Sequence, residues 1–292
     1  MSTDDTSAIV KTFFDESTNT ISHVLHDPVS RNAAIFDPVL DYDAASGRTN
    51  TTSADKLVTY IQSQGLNLKY IIETHAHADH LSSAPYLKEK LGGQTMIGAR
   101  IDKVQDVFGK VFNAGETFAP DGSQFDILSQ DGDVFSLGTL SMKAIYTPGH
   151  TPACVSYHIG NAVFVGDTLF MPDYGTARCD FPGGDAETLY QSVQKIFQLP
   201  ETTRLYMCHD YKAPGRAEYA FETTVAEEKA HNIHVKQDIS QEEFVRMRSE
   251  RDATLDMPRL ILPAVQVNMR AGHMPKADDN GQVYLKVPVN LF

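Results

Sequence analysis

Of the chain's 292 residues, 41% are hydrophobic and 22% are charged, which is ordinary for a soluble globular protein. The 25 lysines and arginines stand against 38 aspartates and glutamates, so the formal net charge at pH 7 is −13. This acidity argues against nucleic acid and against an anionic membrane surface as partners. Three widely spaced cysteines argue against a disulfide framework. With no signal-peptide pattern and no long apolar run, the chain is expected to be cytoplasmic.

The first half of the chain alternates between short apolar runs, which predict strands, and amphipathic patterns, which predict helices. Gly65 ends the first helical pattern, and Gly92-Gly93 ends a second one that Ser82 and Ser83 are expected to cap. The predicted strands are 21–25, 33–36, 68–73 and 95–97, and the predicted helical segments are 53–64, 85–91 and, as helix or irregular structure, 101–112.

From Asp133 onward strands predominate, separated by turns at Gly138, Pro148-Gly149 and Gly160-Asn161. The predicted strands are 134–137, 140–146, 155–159, 162–165 and 205–207, and the predicted helices are 185–199, 221–231 and 241–251. An apolar segment over 260–267 and an extended tail over 283–291 follow. No linker separates these parts, so the pattern predicts one α/β domain over 1–292, with 236–292 as a C-terminal extension packed on it.

A cluster of metal-ligand residues follows the strand predicted over 68–73. The stretch Thr74-His75-Ala76-His77-Ala78-Asp79-His80 holds three histidines and an aspartate within six residues. Histidines two residues apart in an extended loop can converge on a metal just beyond the strand end, and the small alanines let the backbone fold tightly around it. A lone histidine is more often a surface or core residue, but this density predicts a metal site.

Three further segments place a ligand-type residue at the end of a strand. His150 lies in the tight turn Thr147-Pro148-Gly149-His150-Thr151-Pro152, Asp167 follows the apolar run Val163-Phe164-Val165, and His209 follows Met207-Cys208. Each signal is weak alone, since an aspartate after an apolar run is also typical of a helix N-cap. Because ligands gather at the carboxyl ends of strands in α/β folds, we expect the four segments to converge.

In type, order and spacing these residues resemble the ligand set of the metallo-β-lactamase superfamily, over about residues 13–235. The matching residues are His75, His77, Asp79, His80, His150, Asp167 and His209. The resemblance implies an αββα sandwich with its metals at one edge of two sheets. Within the superfamily, the stretches Arg178-Cys179-Asp180-Phe181 and His209-Asp210-Tyr211 look like the bacterial persulfide dioxygenases. Glyoxalase II, which hydrolyses glutathione thioesters at two metals, is the alternative.

The resemblance to persulfide dioxygenases implies one Fe(II) per chain, held by His75, His150 and Asp167. Two imidazoles and one carboxylate form the facial triad of non-haem iron oxygenases. The implied reaction oxidises glutathione persulfide with O₂ and water to sulfite and glutathione, and a homodimer is suggested. The remaining ligand-type residues would then orient the ligands or the substrate, whereas in glyoxalase II they would help to hold two Zn, Fe or Mn ions: His77, Asp79, His80 and His209.

Glutathione carries two carboxylates, so an acidic protein must place cations locally in its pocket. By position the candidates are Arg178, Lys212 and Arg216, with Tyr211 as a hydrogen-bond donor. Lys212 and Arg216 are equally compatible with being solvated surface charges. Cys179 is a candidate redox-sensitive thiol near the metal, whereas Cys154 and Cys208 are expected to be small buried hydrophobic residues.

Overall fold

The computed structural model describes residues 8–291, in which strands and helices alternate much as the apolar pattern predicts. The strands are β1 Ile9–Asp15, β2 Thr20–His26, β3 Asn32–Phe36, β4 Val39–Asp43, β5 Arg48–Asn50, β6 Asn67–Ile72, β7 Leu81–Ser82, β8 Gln94–Gly98, β9 Ile127–Ser129, β10 Val134–Leu137, β11 Leu140–Tyr146, β12 Val155–Ile159, β13 Ala162–Phe164, β14 Arg204–Tyr206 and β15 Glu222–Thr224. The helices are α1 Thr52–Ser63, α2 Ala84–Leu91, α3 Ile101–Val111, α4 Ala186–Phe197, α5 Val225–His231, α6 Gln241–Asp252 and α7 Ile261–Asn268.

Two six-stranded sheets form the centre of the fold. The first has the order β1-β2-β3-β6-β8-β9 and is parallel from β3 to β9, and the second has the order β10-β11-β12-β13-β14-β15. In the second sheet only the β13–β14 pair is parallel among the pairings of these strands. A small sheet of β5, β4 and β7 lies beside them.

Aromatic side chains fill the space between the two sheets. The rings of Phe36 and Phe164 stack with centroids 3.9 Å apart, and Tyr206 stacks on the other side of Phe164 at 5.1 Å. Apolar residues of α1 and α2 cover the outer face of the first sheet, and those of α4 and α6 cover the second. This layering confirms the predicted αββα sandwich.

The segment predicted as a helix over 221–231 begins as a strand. Glu222 and Thr223 pair with Tyr206 and Leu205 of β14, so the helix starts only at Val225. Thr224 caps that helix, because its hydroxyl accepts a hydrogen bond from the amide of Glu227. The prediction was wrong over these three residues because edge pairing with a distant strand overrides local helical preference.

Two other local predictions differ in detail. Ser83 occupies the position before α2 but makes no side-chain hydrogen bond to that helix. The hydroxyl oxygen of Ser82 instead accepts from the amide of Ala84 while the hydroxyl donates to Glu73. The tail over 283–291 pairs with no strand. Among residues 8–291, no helix has both the length and the apolar character needed to cross a bilayer.

Candidate metal centre

Residues 74–80, here called the metal loop, connect β6 to β7 and carry four of the predicted ligands. Asp37, directly after β3, holds the start of this loop: its Oδ1 accepts from the amide of Thr74 at 2.7 Å and lies 2.8 Å from His77 Nε2. Both residues are buried. The parallel pairing of β3 with β6 places the Asp37 carboxylate at the strand end where the metal loop begins.

The contact with Asp37 decides which nitrogen of His77 is free. Although burial disfavours the imidazolium, the carboxylates of Asp37 and Glu73 raise the pKa of His77 well above its ordinary value. Nε2–H donates to Asp37, so Nδ1 is the nitrogen left to face the centre, and it has no hydrogen-bond partner. A metal taking this nitrogen would displace a proton rather than break the contact with Asp37.

His75, His150 and Asp167 form a first group of converging ligand atoms, which lie within 4.8 Å of one another. Asp167 Oδ2 lies 3.9 Å from His75 Nε2 and 3.7 Å from His150 Nε2. The hydroxyl of Thr74 donates to Asp37 and therefore accepts from His75 Nδ1–H, while His150 Nδ1–H donates to the carbonyl of Arg178 at 2.7 Å. Each imidazole thus presents Nε2 with its lone pair toward the carboxylate.

A second group contains His77, Asp79, His80 and His209, whose ligand atoms also lie within 4.8 Å of one another. Asp79 Oδ2 lies 3.1 Å from His80 Nδ1 and 3.4 Å from His209 Nε2. Burial works against ionisation of Asp79, but the neighbouring His209 and His80 hold its pKa well below the ordinary value. The carbonyl of Asn19 accepts from His209 Nδ1–H at 3.2 Å, which leaves Nε2 facing the centre.

The donor atoms of both groups fit a bound metal. Among residues 8–291, several buried polar atoms without a hydrogen-bond partner belong to these ligands: His75 Nε2, His77 Nδ1, His80 Nε2, His209 Nε2 and Asp167 Oδ1. Leaving so many buried polar atoms unsatisfied is costly unless a cation occupies the space between them. Burial, followed by the nearby His77 and His150, lowers the pKa of His75 well below its ordinary value and favours the neutral ligand form. Imidazole nitrogens with carboxylate oxygens suit iron, zinc or manganese.

A cavity of about 380 Å³ opens on the ligands Asp79, His150 and Asp167. One wall is aromatic: the ring of Tyr174 stacks on Tyr211, and Phe170 meets Tyr211 edge to face. Four arginines also line the cavity: Arg178, Arg248, Arg251 and Arg259. The metal centre is therefore reached through a pocket with an apolar wall and a cationic wall.

Of the four residues predicted to bind substrate, two line this cavity and two do not. Tyr211 and Arg178 are lining residues, although Arg178 is already paired with Asp180 through two contacts of 2.5 and 2.6 Å. Lys212 has a left-handed backbone and lies over the ring of Tyr219 at 4.0 Å. The guanidinium of Arg216 donates to the carboxylates of Asp210 and Asp173. Lys212 and Arg216 are thus not among the residues that line the cavity, and a role for either in substrate binding stays a prediction.

The three cysteines are buried and unpaired. Burial raises the pKa of Cys154 to about 12 and also raises that of Cys179. The amide of Cys179 donates to Asp252, and the residue is 7% exposed. Because the thiolate is the reactive form, these surroundings disfavour a redox-sensitive role for Cys179.

Sequence reasoning missed three residues of the C-terminal extension near the centre. Arg251 and Arg259 line the cavity, and the side chain of Asn268 hydrogen-bonds the backbone of the metal loop. They carry no motif, and they reach the centre only through packing of α6 and α7. The arginine-rich stretch over 246–251 was a possible signal, but the sequence does not show which of its cations faces the pocket.

Comparison with known proteins gives the chain its relatives. A probable metallo-hydrolase of Burkholderia pseudomallei is 56% identical, covering 97% of this chain and 99% of the relative. Glyoxylase B2 of Dictyostelium discoideum is 51% identical and covers 92% of both chains, and the human mitochondrial persulfide dioxygenase ETHE1 is 31% identical, covering 90% and 89%. The crystal structure of ETHE1 from Myxococcus xanthus superposes with a TM-score of 0.72 at 31% identity, covering 91% of this chain and all of that one.

The superfamily assignment follows from these matches together with the geometry. A model of the metallo-beta-lactamase superfamily matches residues 30–209, a range that contains the metal loop, His150, Asp167 and His209. With its αββα layers and its ligand residues gathered at one end of the two sheets, the chain belongs to the metallo-beta-lactamase superfamily.

Proposed function

We propose that the protein is a persulfide dioxygenase that oxidises glutathione persulfide at one Fe(II). The observation that carries the proposal is the convergence of His75, His150 and Asp167, two of which line the pocket. Two imidazoles and a carboxylate leave open coordination positions of the kind that oxygenases use. In the reaction, glutathione persulfide, O₂ and water give glutathione and sulfite, and the outer sulfur loses four electrons that reduce O₂. The 31% identity to the human persulfide dioxygenase supports this assignment.

The residues of the chain have defined tasks in this reaction. His75, His150 and Asp167 would hold the iron, which supplies the redox chemistry and brings both reactants to one point. The Thr74 hydroxyl and the Arg178 carbonyl fix the two imidazoles by accepting their Nδ1 protons. Phe170, Tyr174 and Tyr211 form an aromatic wall against which the persulfide would lie.

The cationic wall is suited to the carrier of the persulfide. Among residues 8–291, the side chains of Arg251 and Arg259 form no ion pair with a carboxylate, and Arg259 donates only to the carbonyl of Ser17. Both arginines are exposed. Asp256, which lies between them in the sequence, lines the same cavity. Two guanidinium groups and one carboxylate complement the two carboxylates and the ammonium group of glutathione.

A glyoxalase II-type hydrolase of glutathione thioesters is the second candidate, and a specific observation favours it. Asp167 Oδ1 lies 3.4 Å from His209 Nε2, so this carboxylate faces both ligand groups and can bridge two metals. The 51% identity to Glyoxylase B2 points the same way. The two candidates therefore differ in whether the second group holds a metal.

Metal content and two activities, measured on one anaerobically prepared sample, test the proposal. We expect about one iron per chain and consumption of O₂ with formation of sulfite when glutathione persulfide is added. The Asp79→Ala variant should keep its iron, because Asp79 belongs to the second group only. Two metals per chain, with anaerobic hydrolysis of a glutathione thioester that Asp79→Ala loses along with one metal, would contradict the proposal.

A further inference from the structure

The last residue of α7 hydrogen-bonds the metal loop. Asn268 is 3% exposed, and its Nδ2 donates to the carbonyl of His77 at 2.9 Å and to that of His80 at 2.7 Å. Its Oδ1 accepts from the amide of Ser82 at 2.8 Å. Both hydrogens of the carboxamide nitrogen and one lone pair of the oxygen thus bond the backbone of three residues within 77–82.

Apolar packing holds α7 against the same loop. Ala76 and Ala78 belong to one buried cluster with Ile261 and Val265 of α7. On the other side Leu81, directly after the metal loop, packs in a cluster with further α7 residues. The small side chains of the metal loop therefore serve a contact as well as a tight turn, since larger ones would push α7 away.

The chain after α7 also approaches β7 and the start of α2 too closely for a side chain. A Cβ atom on Gly272 would lie 2.6 Å from Pro85 Cδ and 2.9 Å from the carbonyl of Ser82, and its φ is +83°. Glycine is the residue that tolerates both conditions. The position of Asn268 is consequently fixed from both sides, by α7 before it and by this close approach after it.

We propose that Asn268 is a positioning residue of the metal centre and that the C-terminal extension completes that centre. Asn268 touches no expected ligand atom and acts through the backbone of His77 and His80, which flank Asp79. Buried carbonyls of an irregular loop must find donors, and here one side chain supplies both. By fixing the distance between the two carbonyls, it fixes the directions of the His77, Asp79 and His80 side chains. The proposal concerns the second ligand group, whose imidazoles and carboxylate can bind added Zn²⁺ whether or not that group holds a metal during the reaction.

Gln266 on the same helix provides a matched control. It is 2% exposed, its Nε2 donates to the carbonyls of Leu262 and Lys286, and its Oε1 accepts from the amide of Lys286. It therefore makes three side-chain hydrogen bonds as Asn268 does, but they go to Leu262 of the same helix and to Lys286 of the tail, not to the metal loop. A loss caused only by weakening of α7 should appear equally when either amide is removed.

The experiment titrates Zn²⁺ into metal-free wild type, Asn268→Ala and Gln266→Ala against a chelator. We expect the affinity of the second ligand group for Zn²⁺ to fall ten- to a hundredfold in Asn268→Ala, as it does when hydrogen bonds that orient metal ligands are lost. In Gln266→Ala the Zn²⁺ affinity should stay near wild type. The visible spectrum of the Co²⁺-loaded proteins should change for Asn268→Ala only, since it reports ligand geometry. Thermal melting of the metal-free proteins measures the purely structural loss.

Equal Zn²⁺ affinity in Asn268→Ala and wild type would overturn the proposal, and so would an equal loss in Gln266→Ala. Should Asn268→Ala fail to fold, Asn268→Ser replaces it, because a hydroxyl keeps one donor where the carboxamide has two. An intermediate loss of Zn²⁺ affinity in Asn268→Ser supports the proposal, and wild-type affinity in that variant overturns it.

Discussion

Oδ1 of Asp167 lies 3.4 Å from Nε2 of His209 in the second ligand group. The other oxygen of the same carboxylate, Oδ2, faces His75 and His150 of the first group. Asp167 therefore contacts both groups, whereas His209 belongs only to the second and His150 only to the first. This arrangement allows the two groups to be tested separately with single substitutions. It also explains why residue types alone leave the number of metals open, since a shared carboxylate serves a centre of either kind.

Substitution of one histidine from each group should have opposite effects on iron content. We expect His150→Ala to lose iron and O₂ consumption, because it removes one of the three proposed iron ligands, and His209→Ala to retain about one iron per chain. Elemental analysis of anaerobically purified variants measures the content, and an oxygen electrode measures the activity. A His209→Ala protein with half the metal of wild type would instead indicate a dinuclear centre.

Neutralising the free cations of the pocket should raise the KM for glutathione persulfide. A charge-assisted hydrogen bond contributes about 1.5–3 kcal/mol, and these groups are exposed, so we expect Arg251→Gln and Arg259→Gln each to raise KM about tenfold with little change in kcat. Steady-state kinetics at several salt concentrations provide the measurement, because the wild-type advantage should shrink with screening.

A control for these variants lies on the same helix as Arg251. Arg246 is exposed on α6 but does not line the cavity, so Arg246→Gln should leave KM unchanged. A persulfide without carboxylates should react equally well with wild type, Arg251→Gln and Arg259→Gln. If Arg246→Gln raises KM as much as they do, overall charge and not contact accounts for the effect.

Glu228 predicts a pH dependence of stability that is separate from the metal centre. Burial raises its pKa from 4.5 to about 8, with Asp173 adding to the shift and a hydrogen bond from Asn232 opposing it. Between these two pH values the unfolded chain releases the proton and the folded chain keeps it. The contribution of Glu228 is therefore complete below pH 4.5 and declines as pH rises toward 8, by on the order of a few kcal/mol.

Urea denaturation of wild type and Glu228→Gln between pH 5 and 8 measures this contribution. The glutamine has similar shape and no proton to lose, so the free energy of unfolding of wild type should fall relative to the variant as pH rises. Burial lowers the pKa values of His23 and His234 to about 4, so these residues make the free energy of unfolding rise with pH. Both proteins share this effect, and the comparison removes it. Parallel curves for the two proteins would show that Glu228 is ionised throughout.

Local signals predicted the ligand set but not the pocket around it. The ligands follow strands within short stretches of sequence, so apolar runs and turn residues were enough to place His75, His150 and Asp167 at strand ends. Cations offer no such signal, because their surroundings are set by distant residues. Arg216 is close in sequence to His209, yet its guanidinium pairs with Asp173, which lies 43 residues earlier.

The fold divides in the same way. Nine of the twelve strands in the two described sheets were predicted from their apolar runs, and β1 and β9 were not. β15 was taken for helix because its pairing with β14 depends on tertiary contact. The extension was predicted to pack on the domain without any indication of its contact with the metal loop. A buried asparagine at a helix end looks like a capping residue in the sequence, and only the structure gives its partners.

During synthesis, Asn268 is added to the chain long after the metal loop to which it hydrogen-bonds. Asn268 and His77 are 191 residues apart, so at about 5–20 residues per second the ribosome completes the metal loop roughly 10 to 40 s before it adds the residue that holds it. Every expected ligand up to His209 precedes Asn268 in the chain. A nascent chain therefore possesses the full set of ligand side chains before their final geometry is fixed, and metal captured during synthesis meets a looser loop than metal captured afterwards.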